Sequence, residues 1–295
     1  MSNRNAKDVY AVILVGGKGK RLMPLSTDAR PKAFLSVKHN GVTMFGDTLA
    51  RIGRLVGEDN IMVVANAAHS KLVRIDFPGV RRGNLLLEPV SRNTAPAIAL
   101  AAHAIKKRFG DGVMVVLPSD QYIIGDREYL GAVKKGINFI RKNQDAIVVL
   151  GVKPASPSTQ LGYIKAQGSG CKAQNVYKVT KFEEKPDIKT AKRYLQSGQY
   201  LWNSGAFIFT AGSILNNIKR FAPRISEVLN KGTKHYRDMP DISIDYAVME
   251  KAGNIYCVTG SYGWNDMGSF DSLISVMRRE RRNFVFEDGK VTAIL

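Results

Sequence analysis

A loop near the start of the chain combines glycines and cations in a way that suits phosphate. The apolar run Val9–Val15 leads into "GGKGKRLMPLSTDARPK", whose glycines and candidate cations are Gly16, Gly17, Gly19, Lys18, Lys20, Arg21 and Lys32. Glycine lets backbone N–H groups approach a ligand, and guanidinium and ammonium groups neutralise phosphate oxygens. The pattern predicts a polyphosphate cradle; a glycine-rich turn carrying surface charge is the alternative.

The spacing within this loop excludes two common phosphate-binding motifs. The dinucleotide fingerprint requires a third glycine where Leu22 stands. The phosphate loop of nucleotide hydrolases requires four residues between its first glycine and its Gly-Lys-Ser/Thr, but Gly16 and Gly19 are too close and Arg21 follows Lys20. The loop is therefore expected to bind polyphosphate in neither of these two ways.

The composition is that of a globular protein with a strong excess of positive charge. Of the 295 residues, 44% are hydrophobic, and the net charge is +19 from 44 Lys+Arg against 25 Asp+Glu. The basic residues are spread along the chain and are dense only at 277–282, with no RNA-binding or finger motif. We expect solvated surface charge and no nucleic-acid partner. The four histidines are not at metal-ligand spacing, so a zinc site is not expected.

No segment reads as a membrane span or a secretion signal. The longest apolar stretches have the length of a strand, and the N-terminal "MSNRNAKDVY" is polar. Cys171 and Cys257 lie far apart without CxxC spacing, which predicts reduced thiols in a cytoplasmic protein.

Strand-like and helix-like runs alternate through the first half of the chain. We predict strands at Val9–Val15, Ile61–Ala65, Asn84–Leu87, Val113–Leu117 and Ala146–Gly151, and helices at 43–57, 66–74, 95–109 and 127–143. Thr94 is expected to cap the third helix and Gly110 to end it. This alternation predicts an α/β protein with a mixed, mostly parallel sheet that is flanked by helices.

The second half is richer in Pro, Ser and Gly, and it should extend the same sheet. The predicted strands are 162–167, Val176–Glu183 and Ala206–Thr210, and the predicted helices are 187–197, 211–221, 243–252 and 268–281. Residues 283–295 read as a hairpin about Asp288-Gly289. We divide the chain into a domain of residues 1–282 and a short C-terminal extension, 283–295, that could begin a β-helical cap.

Seven motifs in order carry a resemblance to a known family. They are the glycine loop, "EPVSRNTAPAIALAA" (88–102), "VLPSDQYI" (116–123), "FEEKP" (182–186), "WNSGAFIF" (202–209), "SIDYAVMEKA" (243–252) and "GWNDMGSFDSL" (263–273). Together they resemble the sugar-1-phosphate nucleotidyltransferases, and among these the mannose-1-phosphate guanylyltransferase branch. The resemblance implies a Rossmann-like nucleotide-diphospho-sugar transferase fold.

The reaction implied by the resemblance is GTP plus mannose 1-phosphate giving GDP-mannose and pyrophosphate. A sugar phosphate oxygen attacks the α-phosphorus in line, and no protein nucleophile is required. Catalysis then rests on positioning and on neutralising charge with cations and Mg²⁺ or another divalent cation.

The resemblance also implies roles for individual residues. Arg21, Lys32, Asp120, Lys185 and Asp266 would be catalytic, with Asp120 and Asp266 sharing the metal ion. Asp120 follows a buried strand, where open sheets bind ligands. Nucleotide binding is implied for Leu14, Gly16, Gly17, Gly19, Lys20, Arg21, Glu88, Arg92, Asn93, Thr94, Ser119 and Asp120. Sugar phosphate binding is implied for Gly162, Tyr163, Glu184, Lys185, Asn203 and Asp245.

Several of these assignments leave alternatives open. Lys20 stands where the family usually has a small hydroxyl residue, and Gln121 where relatives commonly carry histidine. Asp245 could cap a helix instead of reaching the sugar. The chain could use another nucleotide and hexose 1-phosphate, such as UTP or dTTP with glucose 1-phosphate, or be a regulatory homologue that binds nucleotide sugars without turnover. A homodimer is possible.

Overall fold

The computed structural model of the chain describes residues 8–17, 19–38, 40–167, 176–287 and 290–294. Lys18, His39, Cys171 and the predicted turn residues Asp288 and Gly289 lie outside them. The strands of the described residues are β1 (Val9–Val15), β2 (Ile61–Asn66), β3 (Leu85–Glu88), β4 (Val113–Pro118), β5 (Tyr122–Ile124), β6 (Ile147–Val152), β7 (Tyr163–Ala166), β8 (Val176–Glu183), β9 (Tyr200–Thr210), β10 (Ile255–Thr259), β11 (Gly263–Asn265), β12 (Phe284–Glu287) and β13 (Lys290–Ile294).

One mixed sheet organises the described part of the chain, in the order β3-β2-β1-β4-β9-β6-β10-β8-β7. β3, β2, β1 and β4 are paired in parallel, as are β6 and β10. Strands β8 and β9 run against their neighbours, so seven of these nine strands share one direction. The expected α/β architecture, with a mixed and mostly parallel sheet, is confirmed.

Continuous apolar strands build this sheet because both of its faces are buried. In β1, Ala11 and Ile13 face a core shared with Phe45 and Ile137, whereas Val12 faces the opposite core with Ile98. The helices that cover the two faces and the remaining surface are α1 (Met44–Gly53), α2 (Ser70–Asp76), α3 (Thr94–Phe109), α4 (Asp126–Lys142), α5 (Ile188–Ser197), α6 (Ala211–Phe221), α7 (Pro223–Asn230) and α8 (Phe270–Arg279). Within the described ranges, no helix is long and apolar enough to cross a membrane.

The cap predicted for α3 is wrong by one residue. The side chain of Asn93, not Thr94, accepts a hydrogen bond from the first helical N–H, that of Thr94, at 3.0 Å. The Thr94 hydroxyl instead accepts from the backbone N–H of Ile244 at 2.8 Å, which ties α3 to the segment after α7. Gly110 ends the helix as predicted, with φ +85°.

Other elements also differ from the sequence-based expectation. The helix predicted at 243–252 is a single π-helical turn, Asp245–Met249. β9 begins at Tyr200 instead of Ala206, and the sequence analysis missed both α7 and the central strand β10. Five-residue strands such as β10 give little periodicity, so only pairing within a sheet distinguishes them from a loop.

The C-terminal hairpin packs onto the body of the protein. β12 and β13 pair in antiparallel fashion, which confirms the predicted hairpin strands. Val291 is fully buried in a small core with Leu22, Met267 and Met277. Leu22 follows Arg21 in the sequence, and Met267 follows Asp266. Because Arg21 and Asp266 are candidate site residues, this core underlies the site described next.

Candidate active site

The glycine loop opens at the carboxyl end of β1. Gly16 and Gly17 are exposed, with open space where a Cβ would stand, and Gly17 has φ +90°. Gly19 is different, because a Cβ there would lie 2.9 Å from both the Lys32 Cβ and the Ser26 Oγ. Ser26 Oγ donates to the Gly19 carbonyl at 2.6 Å and holds the turn. The loop is thus packed on one side and open on the other, as a phosphate cradle requires.

Lys32 joins the glycine loop to both predicted metal ligands. Its side chain is 9% exposed, and its Nζ lies 2.9 Å from the Asp120 Oδ2. The same ammonium group donates to the main-chain carbonyl of Asp266, 234 residues away in sequence. A buried ammonium group requires such partners, so Lys32 fixes the relative positions of these two segments.

Arg21 and the Asp266 carboxylate face each other across Gly268. A Cβ on Gly268 would lie 2.3 Å from the Asp266 Oδ2 and 3.2 Å from an Arg21 Nη, so a larger residue there would displace these side chains. Arg21 Nη1 also donates to the Gln160 Oε1 at 2.8 Å. Together with Trp202 and Trp264, these residues line a cavity of about 210 Å³.

The predicted sugar phosphate residues form a second cluster. Glu184 Oε1 and Lys185 Nζ pair at 2.7 Å, and Asn203 Nδ2 donates to the Asp245 Oδ1 at 2.9 Å. A Cβ on Gly162 would lie 2.3 Å from the Glu184 Oε2, a buried oxygen with no hydrogen-bond partner among the described residues. Buried polar atoms are normally hydrogen-bonded, so this unpaired oxygen is a candidate acceptor for a ligand hydroxyl.

Acidic neighbours and burial change the protonation of Asp245. Burial, followed by the charge of Glu184, raises the pKa of its carboxyl group to about 7. At Lys185, burial acts to lower the pKa of the ammonium group, but the hydrogen bond and charge of Glu184 outweigh it and the pKa is raised. Asp245 does not act as a helix cap through its side chain, which leaves the sugar-facing alternative from the sequence analysis.

The residues predicted to recognise the base lie between the end of β3 and the start of α3. Glu88 is buried and accepts a hydrogen bond from the Tyr236 hydroxyl, and burial raises the pKa of the Glu88 carboxyl group. Arg92 donates to the main-chain carbonyl of Arg237 at 2.6 Å, and the exposed Asn93 has φ +67°. The sequence analysis did not anticipate Tyr236 or Arg237, which no local pattern connects to β3.

Two predicted side chains have structural positions instead. Ser119 is fully buried and donates to the Leu14 carbonyl at 2.8 Å, so it joins β1 to β4 and engages the main chain of Leu14. The ring of Tyr163 is fully buried, and its hydroxyl accepts from the N–H of Ser158 at 2.9 Å. These side chains cannot contact a ligand in this arrangement, because the core encloses them. Lys20 is exposed beside the cradle.

The sequence analysis also missed residues that complete the site. Gln160 and Trp264 line the cavity. Gln160 lies in the run rich in Pro, Ser and Gly, and Trp264 lies in the motif at 263–273, but the sequence analysis assigned roles only to neighbouring residues. Among the described residues, no three His, Cys, Asp or Glu side chains are grouped as a metal site.

A comparison with protein-family models identifies the family of this chain. The model of the nucleotidyl transferase family matches residues 10–283. The chain belongs to the nucleotidyl transferase family. Within that family, a xanthan biosynthesis protein, XanB, from Xanthomonas campestris pv. campestris strain B100 is 39% identical over 292 residues, which cover 92% of this chain and 60% of XanB. The mannose-1-phosphate guanylyltransferase RfbM from Salmonella typhimurium is 35% identical, with 94% of this chain and 60% of RfbM covered.

The fold of this nucleotidyl transferase chain also matches a solved structure. The crystal structure described as mannose-1-phosphate geranyltransferase from Thermus thermophilus superposes with a TM-score of 0.83 at 33% identity, covering 91% of this chain and 79% of that one. The resemblance to the family and to its mannose-1-phosphate guanylyltransferase branch is therefore confirmed. The chain spans about 60% of the length of the curated relatives named above.

Proposed function

We propose that the chain is a mannose-1-phosphate guanylyltransferase, which converts GTP and α-D-mannose 1-phosphate into GDP-mannose and pyrophosphate. One observation carries the proposal: the segment 160–162 touches both clusters. Gln160 accepts a hydrogen bond from Arg21, while Gly162 lies against Glu184 and Asn203. A phosphate cradle with cations and a polar pocket for hydroxyl groups are thus adjacent, as transfer between a nucleotide and a sugar phosphate requires.

In the proposed reaction, a phosphate oxygen of mannose 1-phosphate attacks the α-phosphorus of GTP. The bond from the α-phosphorus to the bridging oxygen breaks, and pyrophosphate leaves with that electron pair. The exposed amides of Gly16 and Gly17 would receive the triphosphate, and Arg21 and Lys32 would neutralise charge on the phosphoryl oxygens. Lys185 would bind the phosphate of the sugar phosphate. Asn203 would hold Asp245 towards the sugar hydroxyl groups.

The residues present fit a divalent cation of the magnesium type. Asp120 and Asp266 supply hard carboxylate oxygens, and Mg²⁺ uses one or two carboxylates together with phosphate oxygens and water. A cation bound there would supply charge neutralisation at the phosphoryl group. The carboxylate of Asp120 is paired with Lys32 in this structure, and Lys32 would turn from it towards phosphate when the substrates bind.

Release of pyrophosphate from purified protein tests this function. We expect turnover with GTP and mannose 1-phosphate in the presence of Mg²⁺, and far less with UTP, dTTP or glucose 1-phosphate. A preference for UTP or dTTP would assign the chain to another hexose-1-phosphate nucleotidyltransferase. Tight binding of GDP-mannose without turnover in any combination would make it a regulatory homologue.

A further inference from the structure

Gln121 lies at the meeting point of the segments that carry the site. It directly follows Asp120 and is half-buried. Its side-chain Oε1 accepts a hydrogen bond from the Trp264 Nε1 at 3.0 Å, and its Nε2 donates to the main-chain carbonyl of Ser204. The amide therefore connects the loop after β4 to β11 and to β9.

The partners determine how the amide is oriented. The indole N–H of Trp264 can only donate, and the carbonyl of Ser204 can only accept. A side chain at this position must therefore present an acceptor to one partner and a donor to the other. An uncharged carboxamide does both at every pH at which the protein is folded.

Each segment held by Gln121 carries a residue of the proposed mechanism. Ser204 follows Asn203, and Trp264 precedes Asp266 by two residues. At Gly205 the chain of β9 has φ +73°, and a Cβ there would lie 3.9 Å from the Gln121 Nε2, so β9 bends where it meets the amide. The β5–β11 pairing of Tyr122 with Asn265 supports the same junction.

We propose that Gln121 is a positioning residue, which sets the position of Asp120 relative to Asp266 and Asn203 through its two hydrogen bonds. The inference rests on the proposed guanylyltransferase function. Gln121 has no role in proton transfer, because a carboxamide does not titrate. Displacing reacting groups by about 1 Å costs on the order of 100-fold in rate. We therefore expect loss of these two hydrogen bonds to lower kcat more than it changes KM.

Two variants at this position separate positioning from folding. Gln121→Met removes both hydrogen bonds at similar size, and we expect kcat to fall by at least about tenfold in a protein that stays folded at the assay temperature, with a Tm lowered by the two partners left unpaired. Gln121→Glu is the second variant. Its ionised carboxylate keeps the acceptor for Trp264 but has no donor for Ser204.

We expect Gln121→Glu to lower kcat as well, with KM values that change less, because one of the two hydrogen bonds is lost. Gln144→Met, at an exposed glutamine between α4 and β6, is the matched control and should leave kcat unchanged.

A spectroscopic measurement keeps the test independent of turnover. The chain has two tryptophans, so Trp202→Phe leaves Trp264 as the reporter of its own hydrogen bond. We expect its emission to shift when Gln121→Met is added. An unchanged kcat in Gln121→Met or in Gln121→Glu would overturn the proposal. Failure of the wild type in every substrate combination would instead refute the proposed function, while the emission shift would still test the hydrogen bond.

Discussion

At the scale of single residues, the site is built from charges that satisfy one another across long sequence distances. Lys32 pairs with Asp120 and with the main chain of Asp266, so one ammonium group links segments that lie 234 residues apart in sequence. Such a buried cation is costly without its partners. Its contacts therefore indicate a structural role beside the catalytic role proposed above, and variants must separate the two.

Replacing Lys32 by methionine should abolish most turnover. The variant keeps the side-chain length but leaves phosphoryl charge and Asp120 without their cation, and removing one electrostatic contact to a reacting oxygen costs about 100- to 1,000-fold in kcat. Pyrophosphate release is measured well below the Tm of the variant. Lys134→Met, at an exposed lysine of α4, serves as the control. A Lys32→Met protein with near-normal kcat would remove Lys32 from the mechanism.

Asp245 should make stability depend on pH near neutrality. Its folded pKa of about 7 lies above the ordinary aspartate value, mainly because the group is buried and secondly because of Glu184. The stability linked to the bound proton is present at low pH and is lost as the pH rises towards 7. We expect the unfolding free energy of the wild type to fall relative to Asp245→Asn by up to about 1.4 kcal/mol per pH unit between pH 4.5 and 7. Urea titrations that give a constant difference would refute the shift.

At the scale of elements, the start of α3 combines capping with backbone strain. Asn93 caps the helix while its main chain has φ +67° and ψ −172°, a region that is essentially restricted to glycine. Strained backbone of this type is found at functional sites, and Asn93 is one of the residues that the family resemblance assigns to the base.

Asn93→Gly should weaken nucleotide binding without lowering the stability of the protein. Glycine relieves the strain and costs only a few tenths of a kcal/mol as a cap, so thermal unfolding should occur at or above the wild-type Tm. If the amide contacts the base, the KM for GTP should rise while the KM for mannose 1-phosphate stays the same. Asn93→Ala is the companion variant, which loses the cap and keeps the strain, and it should be the less stable of the two. Equal KM values for GTP would contradict a contact with the base.

At the scale of the whole molecule, the C-terminal hairpin supports the first loop. Val291 packs with Leu22 and Met267 in a core that borders both the cradle and the carboxylate segment. The division of the chain at residue 283 stays a prediction, but this contact means that the hairpin and the site share apolar packing.

Val291→Ala should therefore destabilise the protein and disturb the site together. Truncating a buried valine costs about 1 to 3 kcal/mol, which chemical denaturation measures. Val42→Ala, at a valine that is 37% exposed, is the control and should change stability by less than about 0.5 kcal/mol. If both variants had the same unfolding free energy, the hairpin would not be part of this core.

The strands and helices with strong local patterns could be predicted from the sequence. β1 and β4 are apolar runs rich in valine, and α4 has a clear apolar face, so their existence did not depend on context. β10 and α7 were missed because a short strand and a short helix gain their stability from their neighbours. Thr94 was assigned the cap because its residue type suits that position, but a hydrogen bond to Ile244, which is distant in sequence, decided its role.

By itself the sequence determined the chemistry of the site: glycines and cations after one strand, and two aspartates and a Glu-Lys pair in recognisable motifs. Only the tertiary structure decided which of these groups meet. Lys32 reaches across 234 residues to Asp266, and Ser119 and Tyr163 turn inwards to the core although their motifs suggested ligand contacts. The physical reason is that residue types and local spacing specify what a side chain can bind. The folding of distant segments onto one sheet specifies which of the possible partners lies within reach of that side chain.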